Sequence, residues 1–428
     1  MSDKIDIEIP FGKRMSNIKI PKDNYFESLE MKATKKIENV EEAVKYSLDN
    51  PIGSKKIEEI TKGKKSASII ISDITREVPN KQILNQILEK LEKSGIQKKD
   101  IKIIIATGSH RHNTREEQIK MISIDIVDQY NISNHDCFNE KLNIKIGKTK
   151  NGEIAKINKN FIESDVRILT GNIQPHQWAG FSGGYKAICP GIASFNTIML
   201  THKPEILGDE LTTSGVIKGN KFYEKTIEIG ELAKPDFICN AIVDKQKNPI
   251  AFFSGAPKET HRVGSRYCND IVKLNYTDFA DIVIADGGGY PSDLSLYQIV
   301  KAMHHAVKIL KNNGTLILAA ECMEGIGSES FKKQLFDIKD KDIYLKNLYK
   351  RKKYELDQWQ LQEIINAVNK GRLLIYCKGI EDKDFPFNLF GRIKNIEEGI
   401  RIGLERTGPN SKISIIKDCP FVIPEVEK

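Results

Sequence analysis

Residues 66–73, SASIIISD, read as a buried strand that ends in polar side chains, and they decide the fold. Residues 101–106, IKIIIA, and 166–170, VRILT, repeat the pattern, and a helical stripe of apolar residues over 82–93 separates the first two strands. Short β-branched runs that alternate with helices are typical of parallel sheets covered on both faces. The sequence therefore predicts an α/β fold with a parallel or mixed sheet.

The same pattern returns in the second half of the chain. Strands are predicted at 281–286, 314–320, 373–377 and 411–416, with helices over 296–310 and 396–404, the second capped by Asn395. We therefore predict two α/β domains, residues 1–270 and 271–428, with parallel or mixed sheets. The alternating stretches 4–12 and 16–22 predict a hairpin at the start of the first domain.

The composition is that of an ordinary soluble protein, with 39% hydrophobic and 29% charged residues in 428. The net charge of +8 is spread along the chain, and its densest basic run, Lys350 to Lys353, reads as a solvated helical face rather than a nucleic-acid surface. No apolar run reaches the about 18 residues of a membrane span, and the N-terminus lacks an apolar signal segment. We expect neither a nucleic-acid nor a membrane partner.

The seven cysteines are odd in number and form no CxxC pair. In a chain of this length, that favours reduced and buried thiols over disulfides or a structural zinc site. We therefore expect a cytoplasmic protein.

Polar residues follow three of the predicted strands. Asp73 and Arg76 follow the first strand, His110 the second and His176 the third. Ligands of parallel sheets sit beyond the carboxyl ends of the strands, so we expect these residues at one rim. Two histidines there suit proton transfer, because imidazole titrates near neutral pH. Metal binding by both histidines is the alternative that the residue types leave open.

A glycine-rich stretch, residues 175–202, contains Lys186 and ends at His202. Glycines allow close approach of the backbone to a ligand, but Ala187 stands where a Walker A loop needs a hydroxyl residue. Lys186 is therefore either a phosphate counter-ion or, when desolvated, a nucleophile for covalent attachment. His202 follows a helix for which Asn196 or Thr197 is the expected cap, and a lone histidine there is more often structural.

A second glycine-rich turn, residues 287–289, follows a strand in the second half of the chain. Gln298 and Lys301 come next, three residues apart, and share one helical face. A lysine in this position is suited to holding a carboxylate. His304 and His305 lie deeper in the helix and are expected to be structural.

Together these residues resemble the nickel-dependent lactate racemase family, which also includes racemases and epimerases of other 2-hydroxy acids. The resemblance rests on the order of SDxTR, ATGxHR, NHD, PHxxAGFSGGxK, PGxAxxxTIxxxH, GGxPxDxxLYQxxK and DQWQ between residues 72 and 360. It implies an isomerase of two α/β domains with the active site in the cleft between them.

The resemblance also implies a cofactor. Lys186 would tether a nickel-pincer nucleotide, pyridinium-3,5-bisthiocarboxylic acid mononucleotide, which supplies three donors to nickel, and His202 would supply the fourth. Further cofactor contacts are expected from Asp73, Gly183, Gly184 and Tyr185. Enzymes that mature the cofactor are the expected protein partners.

By the same resemblance, His110 and His176 would be the acid/base pair for a small 2-hydroxy acid. Its carboxylate would be held by Arg76 and Lys301, and the remaining expected site residues are Gln298, Tyr297 and Trp359. The reaction would be coupled proton and hydride transfer through a 2-keto acid. Glu77 departs from the family pattern, in which many members have proline after the arginine, and is expected to alter the charge of the pocket.

Two other functions compete with the racemase. A non-catalytic nickel-cofactor or nucleotide-binding protein of the same fold would not need His110 and His176 together. An NAD-dependent dehydrogenase is disfavoured because no GxGxxG follows an early strand.

Overall fold

The computed structural model describes residues 3–351 and 354–427, and the chain divides into two compact units. The first unit is Ala33–Asp270, and the second combines the segment up to Lys32 with the chain from Ile271 onward. This corrects the prediction that residues 1–270 form one domain, because the N-terminal segment contributes a strand to the sheet of the second unit.

The strands in chain order are β1 (Lys4–Phe11), β2 (Arg14–Pro21), β3 (Tyr25–Leu29), β4 (Ala67–Ser72), β5 (Ile101–Ala106), β6 (Asn131–Asn134), β7 (Asn143–Lys148), β8 (Ile154–Asn158), β9 (Val166–Asn172), β10 (Pro175–His176), β11 (Gly180–Phe181), β12 (Phe237–Val243), β13 (Pro249–Gly255), β14 (Lys273–Tyr276), β15 (Ala280–Asp286), β16 (Leu310–Ala319), β17 (Gly371–Tyr376), β18 (Gly391–Arg392), β19 (Ile413–Ile416) and β20 (Ile423–Val426).

The α-helices are α1 (Val40–Asp49), α2 (Ile57–Ile60), α3 (Asn80–Lys93), α4 (Arg115–Ile122), α5 (Ile124–Gln129), α6 (Lys159–Ile162), α7 (Phe195–Thr201), α8 (Pro204–Leu207), α9 (Lys221–Ala233), α10 (Pro257–Val272), α11 (Leu296–Ala306), α12 (Glu329–Asp337), α13 (Lys341–Leu348), α14 (Gln358–Lys370) and α15 (Ile396–Thr407). A short 3₁₀ helix, Gly184–Ala187, lies in the glycine-rich stretch.

The sheet of the first unit has the strand order β13-β12-β9-β4-β5-β6 and is parallel except at β13. Successive isoleucines of β4 point to opposite faces. Ile69 and Ile71 pack with α3, whereas Ile70 belongs to the core cluster of Ile188 and Ile229. Because both faces are buried, the strands read as continuous apolar runs, as the sequence predicts. The neighbouring strands β9, β4 and β5 end at the same edge.

The sheet of the second unit has the order β18-β17-β16-β15-β19-β3 and is parallel throughout. The predicted hairpin is confirmed as β1 and β2. Its apolar face, which includes Ile9 and Ile20, packs with Ile284 of β15 and with Ile396 of α15. The N-terminal segment therefore supplies both an edge strand and a covering layer to this sheet.

Several local predictions have clear outcomes. Asn395 caps α15 by accepting a hydrogen bond from the backbone N–H of Glu398 at 2.8 Å. Lys350 follows the end of α13 instead of lying on a helical face, and Lys352 and Lys353 lie outside the described residues. All seven cysteines lie among the described residues, and they are buried and form no disulfide there. Across residues 3–351 and 354–427, no helix combines the length and apolar character of a bilayer crossing.

Candidate active site

The predicted rim of the first unit carries a buried carboxylate paired with a histidine. Asp73 follows β4 and is 4% exposed, and its Oδ2 lies 2.7 Å from Nδ1 of His110, which follows β5. Burial acts to raise the pKa of Asp73, but the charge and hydrogen bond of His110, together with the Arg76 charge, outweigh it and lower that pKa to about 2. The ionised carboxylate can only accept, so it fixes the proton of His110 on Nδ1 and directs the lone pair to Nε2.

Asp73 therefore acts on His110, a contact that the sequence analysis does not predict. The Asp73 side chain also accepts a hydrogen bond from the backbone N–H of Thr75 at 3.1 Å, which closes the turn leading to Arg76. Arg76 is exposed on this turn, and its backbone N–H donates to the Asp73 carbonyl at 3.1 Å. One aspartate thus orders both a histidine and the loop that carries an arginine.

Glu77, next to Arg76, lies beside a compensating charge. Its Oε1 is 2.6 Å from Nζ of Lys247, in the turn between β12 and β13. Because the Lys247 ammonium offsets the Glu77 carboxylate, Glu77 changes the charge of the pocket less than the sequence alone predicts.

His176 is held in the opposite tautomer from His110. Its Nδ1 accepts hydrogen bonds from the backbone N–H groups of Trp178 and Ala179, each at 3.2 Å. The neutral ring therefore carries its proton on Nε2. His110 therefore presents a lone pair at Nε2 and His176 an N–H, so the first can accept and the second can donate a hydrogen bond.

Phe222 of α9 brings three of the predicted site residues together. Its ring centroid lies 6.1 Å from that of His176 and 5.0 Å from that of His202, and Nζ of Lys186 lies 5.0 Å from the same centroid. Trp178 completes the group, with its ring 5.6 Å from that of His202. We call these five residues the Phe222 cluster.

The amine of Lys186 is placed where a charge is costly. Lys186 as a whole keeps some exposed surface, but its amino group lies against the Phe222 ring. Burial, with a smaller contribution from the positive charge of Arg76, lowers the pKa of Lys186 to about 7. A large fraction of this amine is thus neutral and nucleophilic near neutral pH.

His202 is buried and has a defined tautomer. It caps the end of α7, and its Nδ1 lies 3.0 Å from the Ile198 carbonyl and 2.9 Å from the Thr201 hydroxyl. Burial lowers the pKa of His202 to about 3, so the ring is neutral. An Nδ1–H that donates to a carbonyl leaves the lone pair on Nε2, the arrangement usual for a metal-ligating histidine. The helix is capped by Ser194, not by the predicted Asn196 or Thr197.

The glycines of the loop serve contacts with protein. A Cβ on Gly183 would lie 2.9 Å from Oδ1 of Asn240, and one on Gly184 would lie 2.7 Å from the ring of His261. Tyr185 packs on Gly230 of α9, where an added Cβ would meet its ring at 2.3 Å. These contacts explain the glycines by close packing, whereas the sequence analysis attributes them to approach of a ligand.

The second unit groups the other predicted residues around α11. Nε1 of Trp359, on α14, donates to the hydroxyl of Tyr297 at 3.2 Å. Gln298 and Lys301 share one face of α11, and Nζ of Lys301 lies 5.4 Å from the Phe421 ring centroid. Among the described residues, the buried Oε1 of Gln298 has no hydrogen-bond partner, which suits an atom that binds a ligand.

Sequence reasoning missed Phe222, Asn240 and His261. Each lies on an element that carries no motif, and each reaches the site through contacts between distant parts of the chain. A carboxylate-backed histidine at the rim of the first unit, together with a backbone-held histidine and a buried amine on one phenylalanine ring, indicates an enzyme site equipped for acid–base and covalent-attachment chemistry.

Comparison with known proteins agrees with this class. A family model described as the lactate racemase N-terminal domain matches residues 11–214, and one described as the lactate racemase C-terminal domain matches residues 276–423. The chain is 34% identical over 424 residues to the lactate racemase of Lactiplantibacillus plantarum, covering 98% of this chain and 99% of the relative. It is 33% identical to that of Thermoanaerobacterium thermosaccharolyticum, covering 98% and 99%.

The solved structures lead to the same result. The lactate racemase apoprotein from T. thermosaccharolyticum matches with a TM-score of 0.92 and 32% identity over 99% of this chain and 100% of that chain. A protein from Thermotoga maritima, 16% identical, matches with a TM-score of 0.67 over 91% and 98% and is similar in fold alone. The chain belongs to the lactate racemase family, and it is an isomerase of the racemase type.

Proposed function

We propose that this protein racemises a small 2-hydroxy acid, lactate or a close relative, through a 2-keto acid. The observation that carries the proposal is the pair of histidines in opposite tautomers, His110 on Asp73 and His176 on two backbone amides. Its relatives named lactate racemase support the substrate class.

His110 is the first base of the proposed reaction. Its Nε2 accepts the proton of the substrate hydroxyl, and the Asp73 carboxylate stabilises the imidazolium that forms. His176, once protonated to the imidazolium, would donate its Nε2 proton to the substrate oxygen as the hydride returns to the other face of the carbon. One turnover thus moves a proton from His176 to His110 by way of the substrate oxygen, and exchange with solvent resets the pair; the opposite enantiomer would react with the two roles reversed.

The residues of the Phe222 cluster fit a nickel-pincer nucleotide. Covalent attachment needs a neutral amine, and the pKa of Lys186, lowered to about 7 by burial, provides one. His202 has the tautomer that exposes Nε2 as a ligand atom, and a Ni(II) centre with three cofactor donors needs one such protein ligand. When bound, the cofactor would accept the hydride from the substrate Cα and return it.

The substrate carboxylate is assigned to Arg76 and Lys301. Arg76 offers a planar fork that matches a carboxylate, and Lys301 offers a point charge. Gln298 is the proposed neutral contact through its amide N–H groups, which can donate to the carboxylate. Tyr297 and Trp359, which hydrogen-bond each other, are the remaining proposed substrate contacts. With Lys247 beside Glu77, a small monoanion such as lactate meets no uncompensated carboxylate at this loop.

The proposal is tested by producing the protein together with enzymes that mature the cofactor. Intact mass and peptide mapping should locate one added nucleotide at Lys186, and chiral chromatography should detect D-lactate formed from L-lactate. Lys186→Arg keeps the charge but removes the reactive amine, and it should carry neither nucleotide nor activity. A wild-type protein that carries the nucleotide but racemises neither lactate nor other 2-hydroxy acids would identify a non-catalytic binding protein.

A further inference from the structure

Beneath the loop that carries Lys186 lies a histidine with no role in the reaction above. His261, on α10, is 2% exposed. Its Nε2 lies 2.9 Å from the Ser182 carbonyl, and its Nδ1 lies 3.1 Å from the hydroxyl of Tyr223, on α9. Nε2 is also 3.5 Å from the hydroxyl of Ser265, a longer and weaker contact. Both ring nitrogens of this buried histidine are therefore engaged by protein.

The tautomer of His261 follows from its partners. A carbonyl can only accept, so Nε2 carries the proton and donates it to Ser182. Nδ1 then holds the lone pair, and the Tyr223 hydroxyl must donate to it. Burial lowers the pKa of His261 to about 4, which keeps the ring neutral beside the amine of Lys186. The two hydrogen bonds thus run in one direction, from the Tyr223 hydroxyl to His261 and from His261 to the Ser182 carbonyl.

The loop rests directly on this ring. A Cβ added to Gly184 would lie 2.7 Å from Cδ2 of His261, and Gly184 has a φ of 58°. Oδ1 of Asn240 accepts a hydrogen bond from the backbone N–H of Gly184 at 3.0 Å. The backbone N–H of Lys186 in turn donates to the Gly183 carbonyl at 3.1 Å. The buried side chains of His261 and Asn240 therefore anchor the two peptide units on either side of Gly183. Lys186 follows three residues later in the same loop.

We propose that His261, oriented by Tyr223, is a positioning residue that holds the glycine-rich loop so that the Lys186 amine points into the Phe222 cluster. This inference rests on the proposed role of Lys186 as the attachment point. His261 would affect the attachment reaction by placing the Lys186 amine, and it would not contact the substrate.

Three variants separate hydrogen bonding from packing. His261→Phe keeps a ring of similar shape but loses both hydrogen bonds. His261→Gln replaces the ring with a side chain whose amide N–H can still donate to the Ser182 carbonyl. Tyr223→Phe removes only the hydroxyl that orients the ring. His135→Phe is the matched control, because His135 is also buried in the same unit, but its hydrogen-bond partners are the Ala193 carbonyl, nine residues before His202, and the Asn158 side chain, instead of the Ser182 carbonyl.

The measurement is the fraction of protein that carries the nucleotide at Lys186 after co-production with the maturation enzymes, with thermal unfolding recorded on the same samples. We expect His261→Phe to reduce attachment by roughly tenfold or more, because small displacements of a reacting group are costly. His261→Gln should recover most of the attachment, and Tyr223→Phe should fall between them. His135→Phe should lower the unfolding temperature without a selective loss of attachment. Equal attachment in wild type and His261→Phe overturns the inference.

A second readout does not depend on the cofactor. In the apoprotein, acetylation of Lys186 by an acetyl N-hydroxysuccinimide ester at pH 7 should differ between wild type and Tyr223→Phe, a variant that changes a single hydroxyl. An unchanged acetylation rate would overturn the inference even if His261→Phe fails to fold. If the wild-type protein carries no nucleotide, the proposed function fails, while the acetylation comparison still decides the role of His261.

Discussion

Burial acts to raise the pKa of the Asp73 carboxyl, and pairing with His110 acts to lower it. The lowering is the larger effect. The folded-state pKa of about 2 lies below the ordinary value of 3.8. The folded state therefore binds fewer protons than the unfolded state between these values. The resulting stabilisation, about 2 kcal/mol, is present above the unfolded pKa and is lost as pH falls towards 2.

Asp73→Asn should remove this pH dependence. We expect the difference in unfolding free energy between wild type and Asp73→Asn to shrink as pH is lowered from 7 to 3, measured by urea unfolding. Racemisation by the loaded variant should fall by about 10²–10⁴-fold, since His110 loses the charge that stabilises its imidazolium. A difference in stability that does not change with pH would show that Asp73 is not ionised in the way described.

Lys186 should react as an amine of unusually low basicity. Its acetylation in the apoprotein should rise with pH around a midpoint near 7, because burial destabilises the ammonium form. A lysine in a model peptide titrates near about 10.4 and serves as the reference. A midpoint close to the reference would contradict the burial of this amine.

Arg76→Lys should weaken substrate binding although the charge is kept. A lysine cannot reproduce the two parallel hydrogen bonds of a guanidinium to a carboxylate. The apparent KM for lactate should rise about tenfold or more, since one hydrogen bond to a charged group contributes about 1.5–3 kcal/mol. Initial rates over a range of lactate concentrations test this. An unchanged KM would assign Arg76 to some contact other than the carboxylate.

At the scale of elements, the N-terminal hairpin is part of the core of the second unit. Ile9 of β1 is fully buried, whereas its neighbour Glu8 is exposed. Ile9→Ala should destabilise the protein by about 2–5 kcal/mol, and Glu8→Ala should change stability by less than about 0.5 kcal/mol. Urea unfolding of both variants makes the comparison. Similar small effects from both would mean that the hairpin packs loosely on the sheet.

The sequence predicts elements better than it predicts their partners. Alternating apolar residues identify β1 and β2, but alternation marks only a face, and it does not say which sheet that face covers. Likewise, β3 pairs with β19 near the other end of the chain, a contact without a local signal. The continuous isoleucine runs predict their strands correctly, because a strand buried on both faces needs apolar residues at every position.

The site was predictable where topology alone determines it. Parallel neighbouring strands carry Asp73, His110 and His176 in the segments that follow β4, β5 and β9, and Asp73 contacts His110 there. Asp73 pairs with His110, and the Phe222 cluster forms, through side-chain packing between segments that are distant in the chain. The spacing of residues in the sequence does not predict such contacts.

At the scale of the whole molecule, the proposed reaction moves the hydrogen on Cα as a hydride, so that this hydrogen does not enter water. The measurement is conversion of L-lactate carrying deuterium at C2 by the cofactor-loaded protein in ordinary water, with mass spectrometry of the D-lactate formed. We expect D-lactate to retain the deuterium, because His110 and His176 exchange only the hydroxyl proton. D-lactate that carries protium at C2 would contradict hydride transfer and would indicate proton abstraction from carbon.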